Sequence, residues 1–355
     1  MRIAQVNGFF YPFMGGIEHR IHNISKRLGM RHEVCVFTSQ LQGTAREERG
    51  ENYTIRRLAS RFMDLYNPPY VICRGLLEEL ESYDPDIVDL HYRWAPSLTK
   101  DVVAWDGTRV YTTHNCFGEG TGVMKIASYL NDVRFRTNID KFQKVVGVSE
   151  FICRDHVAHG YPEGKMVTVN NGVDLPEGVD TRDDGFILSL GRVVRVKGLD
   201  YLMRALKEVD MRLVLAGSGP DLDRLKKLAG KNEVEHKVQF LGRVSEERKA
   251  DLFSSCSFFV MPSLEEAFGI AAAEAMAYGK PLVVTKVGGL PDVVGDCGLY
   301  VPPRDATSLA EALNRLAGDE SLRSELGSRG RARAALFSWD HSAELQLKLY
   351  ESLLA

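Results

Sequence analysis

Glu266 and Glu274 lie in the run PSLEEAFGIAAAEAMAYGKP (262–281), which follows an apolar segment and opens a helix. Glu266 falls in the loop ahead of that helix, and Glu274 falls inside it, within AAAEAMA. Ala271, Ala272 and Ala273 let the helix pack closely, so a carboxylate at 274 should be half buried and should require a partner. Ribose or hexose hydroxyls are suitable donors. Phe268, Gly269 and Ile270 place backbone N–H groups at the helix N-terminus, where an anion is favoured. A capping glutamate and a solvated one would explain either residue alone, but not the whole arrangement.

Cations supply the complementary half. Arg192 follows a strand in SLGRVVRVKGLDYLMRAL (189–206), and Lys197 starts the next helix, before Gly198. At the carboxyl end of a buried strand, a Lys point charge and an Arg fork suit a diphosphate. Arg195 reads as the solvated member of the group. In LAGSGPDLDRL (215–225), Gly217 and Gly219 admit close backbone approach. Leu222 takes the place of the last glycine of G-x-G-x-x-G, and the turn lies deep in the chain, which argues against a dinucleotide fingerprint. Gly15 and Gly16 lie between the first strand and the first helix. There Gly16 either offers its N–H to a phosphate or simply starts the helix. His91 and His114 end the strand-like segments DIVDLH and VYTTH, where they could donate hydrogen bonds to sugar or acceptor hydroxyls. His19, His22, His32 and His159 read as surface residues. No ligand set has metal spacing, so no bound metal is expected.

The elements that must hold these residues alternate. Apolar strand patterns at 2–7, 33–39, 53–58, 86–92, 109–114, 144–149 and 166–174 are interspersed with helical patterns at 17–28, 70–82 and 121–139. A polar, turn-rich run at 175–184 reads as a linker. The alternation restarts with strands at 186–191, 212–219, 238–242, 257–263 and 281–285, and it ends in helices at 305–317, 320–335 and 339–354. Two such runs predict an α/β fold of two doubly wound sheets facing each other across a cleft, with ligands at the strands' carboxyl ends. The expected division is 1–175, 176–338 and a final helix, 339–355. The formal net charge of -3 argues against nucleic acid as partner. Six scattered cysteines without a C-x-x-C pair suggest a reducing compartment. No run reaches the ~18 apolar residues of a spanning helix. The expectation is a cytoplasmic protein, with peripheral membrane contact left open. Lys125, Arg134 and Arg136 on the helix at 121–139 either face an anionic surface or are plainly solvated.

The chain resembles the retaining GT-B glycosyltransferases of glycosyltransferase family 4. The resemblance rests on GGIE (15–18), VSEF (148–151), NNGVD (170–174), GRVVRVKG (191–198), AGSGP (216–220), FLGRV (240–244), PSLEEAFGIAAAEAMAYGKP and GGLPDVV (288–294). It implies two Rossmann-like domains, an N-terminal one for the acceptor and a C-terminal one for a nucleoside-diphosphate sugar, with UDP or GDP as the nucleotide. It implies that Glu274 holds the ribose and Glu266 touches the donor sugar. Arg192 and Lys197 would bind the diphosphate, and Phe268, Gly269 and Ile270 would offer main-chain contacts. Gly16 would approach the diphosphate from the other domain. Arg243 and Val244 would border the base, Gly217 would line the nucleotide side, and His114 would lie near the transferred sugar. The final helix would cross back to the first domain. The acceptor is implied only as a glycan, lipid-linked or small molecule. Ala267 stands where many members have Gly, and Asp89 stands where a second His often sits, which leaves the acceptor-side role of His91 open. A sugar-nucleotide epimerase or hydrolase of the same fold, or a catalytically silent sugar-nucleotide-binding subunit, is the alternative.

Overall fold

The computed structural model describes residues 1–63, 70–91, 93–120, 122–178 and 182–355. The chain divides into two compact units, residues 1–172 with 339–355, and residues 173–338. Residues 179–181 of the expected linker, Tyr92 at the end of the expected strand 86–92, and Thr121 at the start of the expected helix 121–139 lie outside the described residues.

The strands of the first unit are β1 (Arg2–Val6), β2 (Glu33–Ser39), β3 (Glu47–Arg49), β4 (Thr54–Met63), β5 (Tyr70–Arg74), β6 (Ile87–Leu90), β7 (Thr108–Thr113), β8 (Lys144–Gly147) and β9 (Met166–Thr168). Its helices are α1 (Gly16–Leu28), α2 (Leu76–Tyr83), α3 (Pro96–Ala104), α4 (Val123–Arg136) and α5 (Glu150–Ala158). The strand order is β3-β4-β2-β1-β6-β7-β8-β9, and β5 pairs with β4. Pairing is parallel except at β3 and β5, which run antiparallel to β4. Alternate residues feed two cores, one on each face. Ala4, Cys35, Val88 and Tyr111 lie on one side, and Ile3, Val34, Ile87 and Val110 on the other. That burial on both faces explains the nearly continuous apolar runs.

One expected helix is corrected. Residues 70–74 form a strand, and the helix begins only at Leu76. Val71 and Cys73 are buried while Tyr70 and Ile72 are half-buried, a period-two pattern carried by β-branched residues. Gly75, at φ 83, separates strand from helix. β3 and α3 have no counterpart in the sequence reading. α3 carries its start signal in Pro96 at the first helical position.

The second unit contains β10 (Phe186–Leu190), α6 (Leu199–Ala205), β11 (Arg212–Ala216), α7 (Leu222–Lys231), β12 (Val238–Gly242), α8 (Glu246–Ser255) and β13 (Phe258–Met261). It continues through α9 (Ile270–Ala277), β14 (Leu282–Thr285), α10 (Leu290–Val294), β15 (Gly298–Val301), α11 (Ala306–Gly318) and α12 (Glu320–Ala334). The sheet is parallel, in the order β12-β11-β10-β13-β14-β15. The order reverses between β10 and β13, and such a switch point is where this architecture binds ligands. Leu188, Phe259 and Val284 pack with Ala272, Ala273 and Met276 of α9, and Ile187, Leu213 and Val283 pack on the other face.

The last helix, α13 (Trp339–Leu354), belongs to the first unit. Its Trp339, Ala343, Leu349 and Tyr350 share a core with Ile21, Ile24 and Leu28 of α1.

Candidate active site

The switch point of the second unit brings Lys197 and Glu266 together. Lys197 closes a short 3-10 turn, Arg195–Lys197, and Gly198 follows at φ 62. A Cβ on Gly198 would lie 2.0 Å from the carbonyl oxygen of Pro262. The Leu264 N–H donates to Val196 O at 2.6 Å. These contacts pin the turn against the loop after β13. Lys197 Nζ then lies 2.5 Å from Glu266 Oε2, which also accepts from Ser263 Oγ at 3.3 Å. Both bonds fall on one carboxylate oxygen. A cavity of about 20 Å³ between Ser189–Arg192 and Met261–Ser263 has room for one water. Arg192 at its edge is exposed and forms no ion pair among the described residues. Arg195 is the solvated member of the group, 58% exposed and 3.3 Å from Asp221.

Glu274 has a partner that sequence reasoning missed. Lys249 Nζ lies 2.8 Å from Glu274 Oε1 and 2.6 Å from Glu246 Oε2. Burial raises the Glu274 carboxyl, and Lys249 offsets part of this. Burial opposes the charge on Lys249, but Glu274 and Glu246 more than compensate and hold its pKa up. The signal was present in α8. Lys249 stands on the apolar stripe with buried Leu252, Phe253 and Cys256, at helical spacing, and a lysine there needs an anion.

Gly269 precedes α9 at φ 96, in left-handed backbone that favours glycine. The N–H groups of Phe268, Gly269 and Ile270 make no hydrogen bond among the described residues. Gly217 has a structural reason of its own, because a Cβ there would lie 1.8 Å from Gly191 O. Arg243 is exposed just beyond β12, and Val244 packs partly against the core.

In the first unit, His91 and His114 follow β6 and β7 but lie within a buried network. Tyr350 Oη donates to Asp89 Oδ2 at 2.6 Å, so it accepts from Gln5 Nε2 at 3.1 Å. Gln5 must then turn its carbonyl to His91 Nε2, 2.5 Å away, so that nitrogen carries a proton. Burial pushes His91 down to about 4 despite Asp89 nearby, so the ring is neutral and Nδ1 is a bare acceptor. His114 Nε2 faces that acceptor at 3.0 Å and must be protonated. Burial also holds His114 well below the usual imidazole range. Its Nδ1, which has no hydrogen bond among the described residues, is therefore an acceptor. The expectation that both histidines donate to a ligand is corrected. His114 can only accept, and both nitrogens of His91 are spent within the unit.

Gly16 opens α1 and is exposed. The α1 start also carries its own carboxylate, since Glu18 Oε2 would lie 2.7 Å from a Cβ on Gly15. The histidines read as surface are half-buried. His22 bonds Tyr53 Oη at 2.8 Å, and His159 stacks on Phe117 with ring centroids 4.4 Å apart. The six cysteines are free thiols. Among the described residues no group of three or more His, Cys, Asp or Glu could hold a metal ion, and no helix is long and apolar enough to cross a membrane.

Known proteins place this geometry. Residues 14–177 match Glycosyltransferase Family 4, and residues 176–333 match glycosyl transferases group 1. An uncharacterised glycosyltransferase of Methanocaldococcus jannaschii is 27% identical over 351 residues, covering 97% of this chain and 96% of the relative. The N-acetyl-alpha-D-glucosaminyl L-malate synthase of Bacillus anthracis is 25% identical, covering 90% of this chain and 89% of its own length. Among solved structures, Anabaena HepE in complex with UDP-glucose superposes with a TM-score of 0.78 at 18% identity, covering 99% of this chain and 100% of that one, a likeness of fold. The two family matches together span residues 14–333, and the chain belongs to the group 1 glycosyltransferases of GT-B fold.

Proposed function

We propose that this glycosyltransferase moves a hexose or N-acetylhexosamine, with retention of configuration and without a metal, from a UDP- or GDP-sugar to a glycan, lipid-linked or small-molecule acceptor. The observation that carries this reading is the Lys197–Glu266 pair beside Arg192 at the β10/β13 switch point. The malate synthase and the UDP-glucose complex among similar proteins support a nucleotide-sugar donor and a hydroxyl acceptor.

In this reading, Arg192, Lys197 and the N–H groups at 268–270 take up the charge that grows on the departing diphosphate. Glu274 accepts from the ribose hydroxyls, and Glu266 accepts from a hydroxyl of the donor sugar. The bond from the anomeric carbon to the phosphate oxygen breaks while the acceptor oxygen bonds to the same face. The acceptor's proton passes to the leaving phosphate oxygen. His114, too weak a base to hold that proton, accepts a hydroxyl hydrogen bond at Nδ1. The two cations do the work a divalent ion would otherwise do.

The test is product analysis in EDTA, with UDP- and GDP-sugars and a panel of hydroxyl acceptors. The expected product keeps the donor's anomeric configuration, and little free sugar forms without acceptor. An inverted product, or hydrolysis as fast without acceptor as with it, would overturn the proposal.

A further inference from the structure

α4 has two dissimilar faces. Ser128, Asp132 and Phe135 point inward and are buried. Val123, Ile126, Leu130 and Arg134 follow one another at steps of three and four residues on the opposite side, so they share one stripe. Val123 is 81% exposed, Ile126 63% and Leu130 62%, with Met124 and Tyr129 at 40% and 47% on the flanks. Among the described residues, five of the ten large exposed hydrophobics fall within 123–130. That concentration marks a patch rather than the scatter normal for a protein surface.

The charge on the helix is one-sided. Lys125 and Arg134 are exposed near its two ends. Its only acid, Asp132, is buried, with Oδ2 accepting from Arg93 Nη2 at 3.0 Å and from the Gly118 N–H at 2.7 Å. Arg136 is drawn away from the surface and donates to His159 O. The exposed surface of α4 is therefore apolar and cationic, with no exposed acid.

We infer that this face of α4 docks the protein on an anionic lipid surface. An interfacial helix seats its apolar stripe at the boundary between headgroups and acyl chains, while lysines and arginines meet anionic headgroups. α4 offers both features on one element. A second copy of the chain fits less well. One helix face is far smaller than the ~800 Å² per partner of a stable interface, and two copies would set cations against cations. This inference does not depend on the donor or mechanism proposed above.

The experiment is co-sedimentation of the full chain with phosphatidylcholine vesicles, with and without roughly 30% phosphatidylglycerol. Binding should be at least about tenfold tighter on the anionic vesicles and should weaken as salt is raised. Ile126→Gln with Leu130→Gln should lower binding about tenfold or more. Arg134→Ala should lower it about fivefold. All three positions are exposed, so folding should survive. Hydrogen exchange on the unmodified chain gives a second reading, with vesicle-induced protection centred on 123–130. Failure to bind anionic vesicles, equal binding to both vesicles, or unchanged binding by the Gln double variant would overturn the inference. A concentration-dependent dimer without lipid that the double variant abolishes would also overturn it, by assigning the face to a second copy.

Discussion

Of the nine histidines only His236 lies in the second unit, while all three tryptophans, Trp94, Trp105 and Trp339, lie in the first. The first unit builds its strand-end chemistry from polar groups sealed inside, the chain Asp89–Tyr350–Gln5–His91–His114. The second builds it from ion pairs that are only partly covered, Lys197–Glu266 and Lys249–Glu274. A sealed network fixes orientation and tautomer, and its one carboxylate, Asp89, already accepts from Thr112 and Tyr350 and is not offered to a ligand. Half-covered ions can exchange one partner for another, as binding a diphosphate and a ribose would require. The same doubly wound scaffold thus carries a buried hydrogen-bond network in one unit and partly covered ion pairs in the other.

The comparison breaks most visibly if the ion pairs are idle. Lys197→Ala and Glu266→Ala are each expected to lower kcat about 100-fold or more, the loss typical of one preorganised group, without a change in melting temperature. Turnover near wild type in either would contradict the roles given to the second unit.

Acid should separate the two units next. Burial holds His91 and His156 at about 4, against about 6.5 in the unfolded chain, and holds His114 well below the usual imidazole range. The unfolded state then binds more protons, so stability is complete above pH 6.5 and falls as pH drops toward 4. His91 alone contributes about 3 kcal/mol to that loss. Asp155, whose carboxyl burial raises, offsets part of it. In the second unit Glu274 acts in the opposite sense, because a raised carboxyl pKa favours folding as pH falls. Tryptophan emission reports the first unit alone. A denaturant midpoint that does not move between pH 7 and pH 4.5 would contradict the sealed-histidine account.

The smallest effect sharpens the role of Lys249. Lys249→Met removes the cation that restrains Glu274 and leaves Glu246 and Asp174 as its charged neighbours. The donor KM should rise about tenfold, the scale of one hydrogen bond between charged groups, and the defect should be worst at low pH, where Glu274 protonates. A KM unchanged across pH 6–8 would reduce Lys249 to a structural residue.

Much of this was legible in the sequence because the strand ends and their loops are local features. The segment from Arg192 to Lys197 and the run 262–281 declare themselves by composition and spacing. The edge strand at 70–74 was not legible, because five residues of alternating pattern merge with the helix that follows. Nor was the partner of Glu274, since Lys249 lies on a different helix and only the fold makes them neighbours. The direction of the His114 hydrogen bond was hidden for the same reason. It is set from Tyr350, on a helix more than two hundred residues away in sequence.

The central claim is that the second unit holds a nucleoside diphosphate with protein cations alone. Calorimetric titration with UDP, GDP and ADP in EDTA tests it most directly. The account predicts micromolar binding of one nucleotide to the wild-type chain and at least about tenfold weaker binding to Lys197→Ala. Absence of binding for all three, or binding that appears only when Mn²⁺ is supplied, would contradict it.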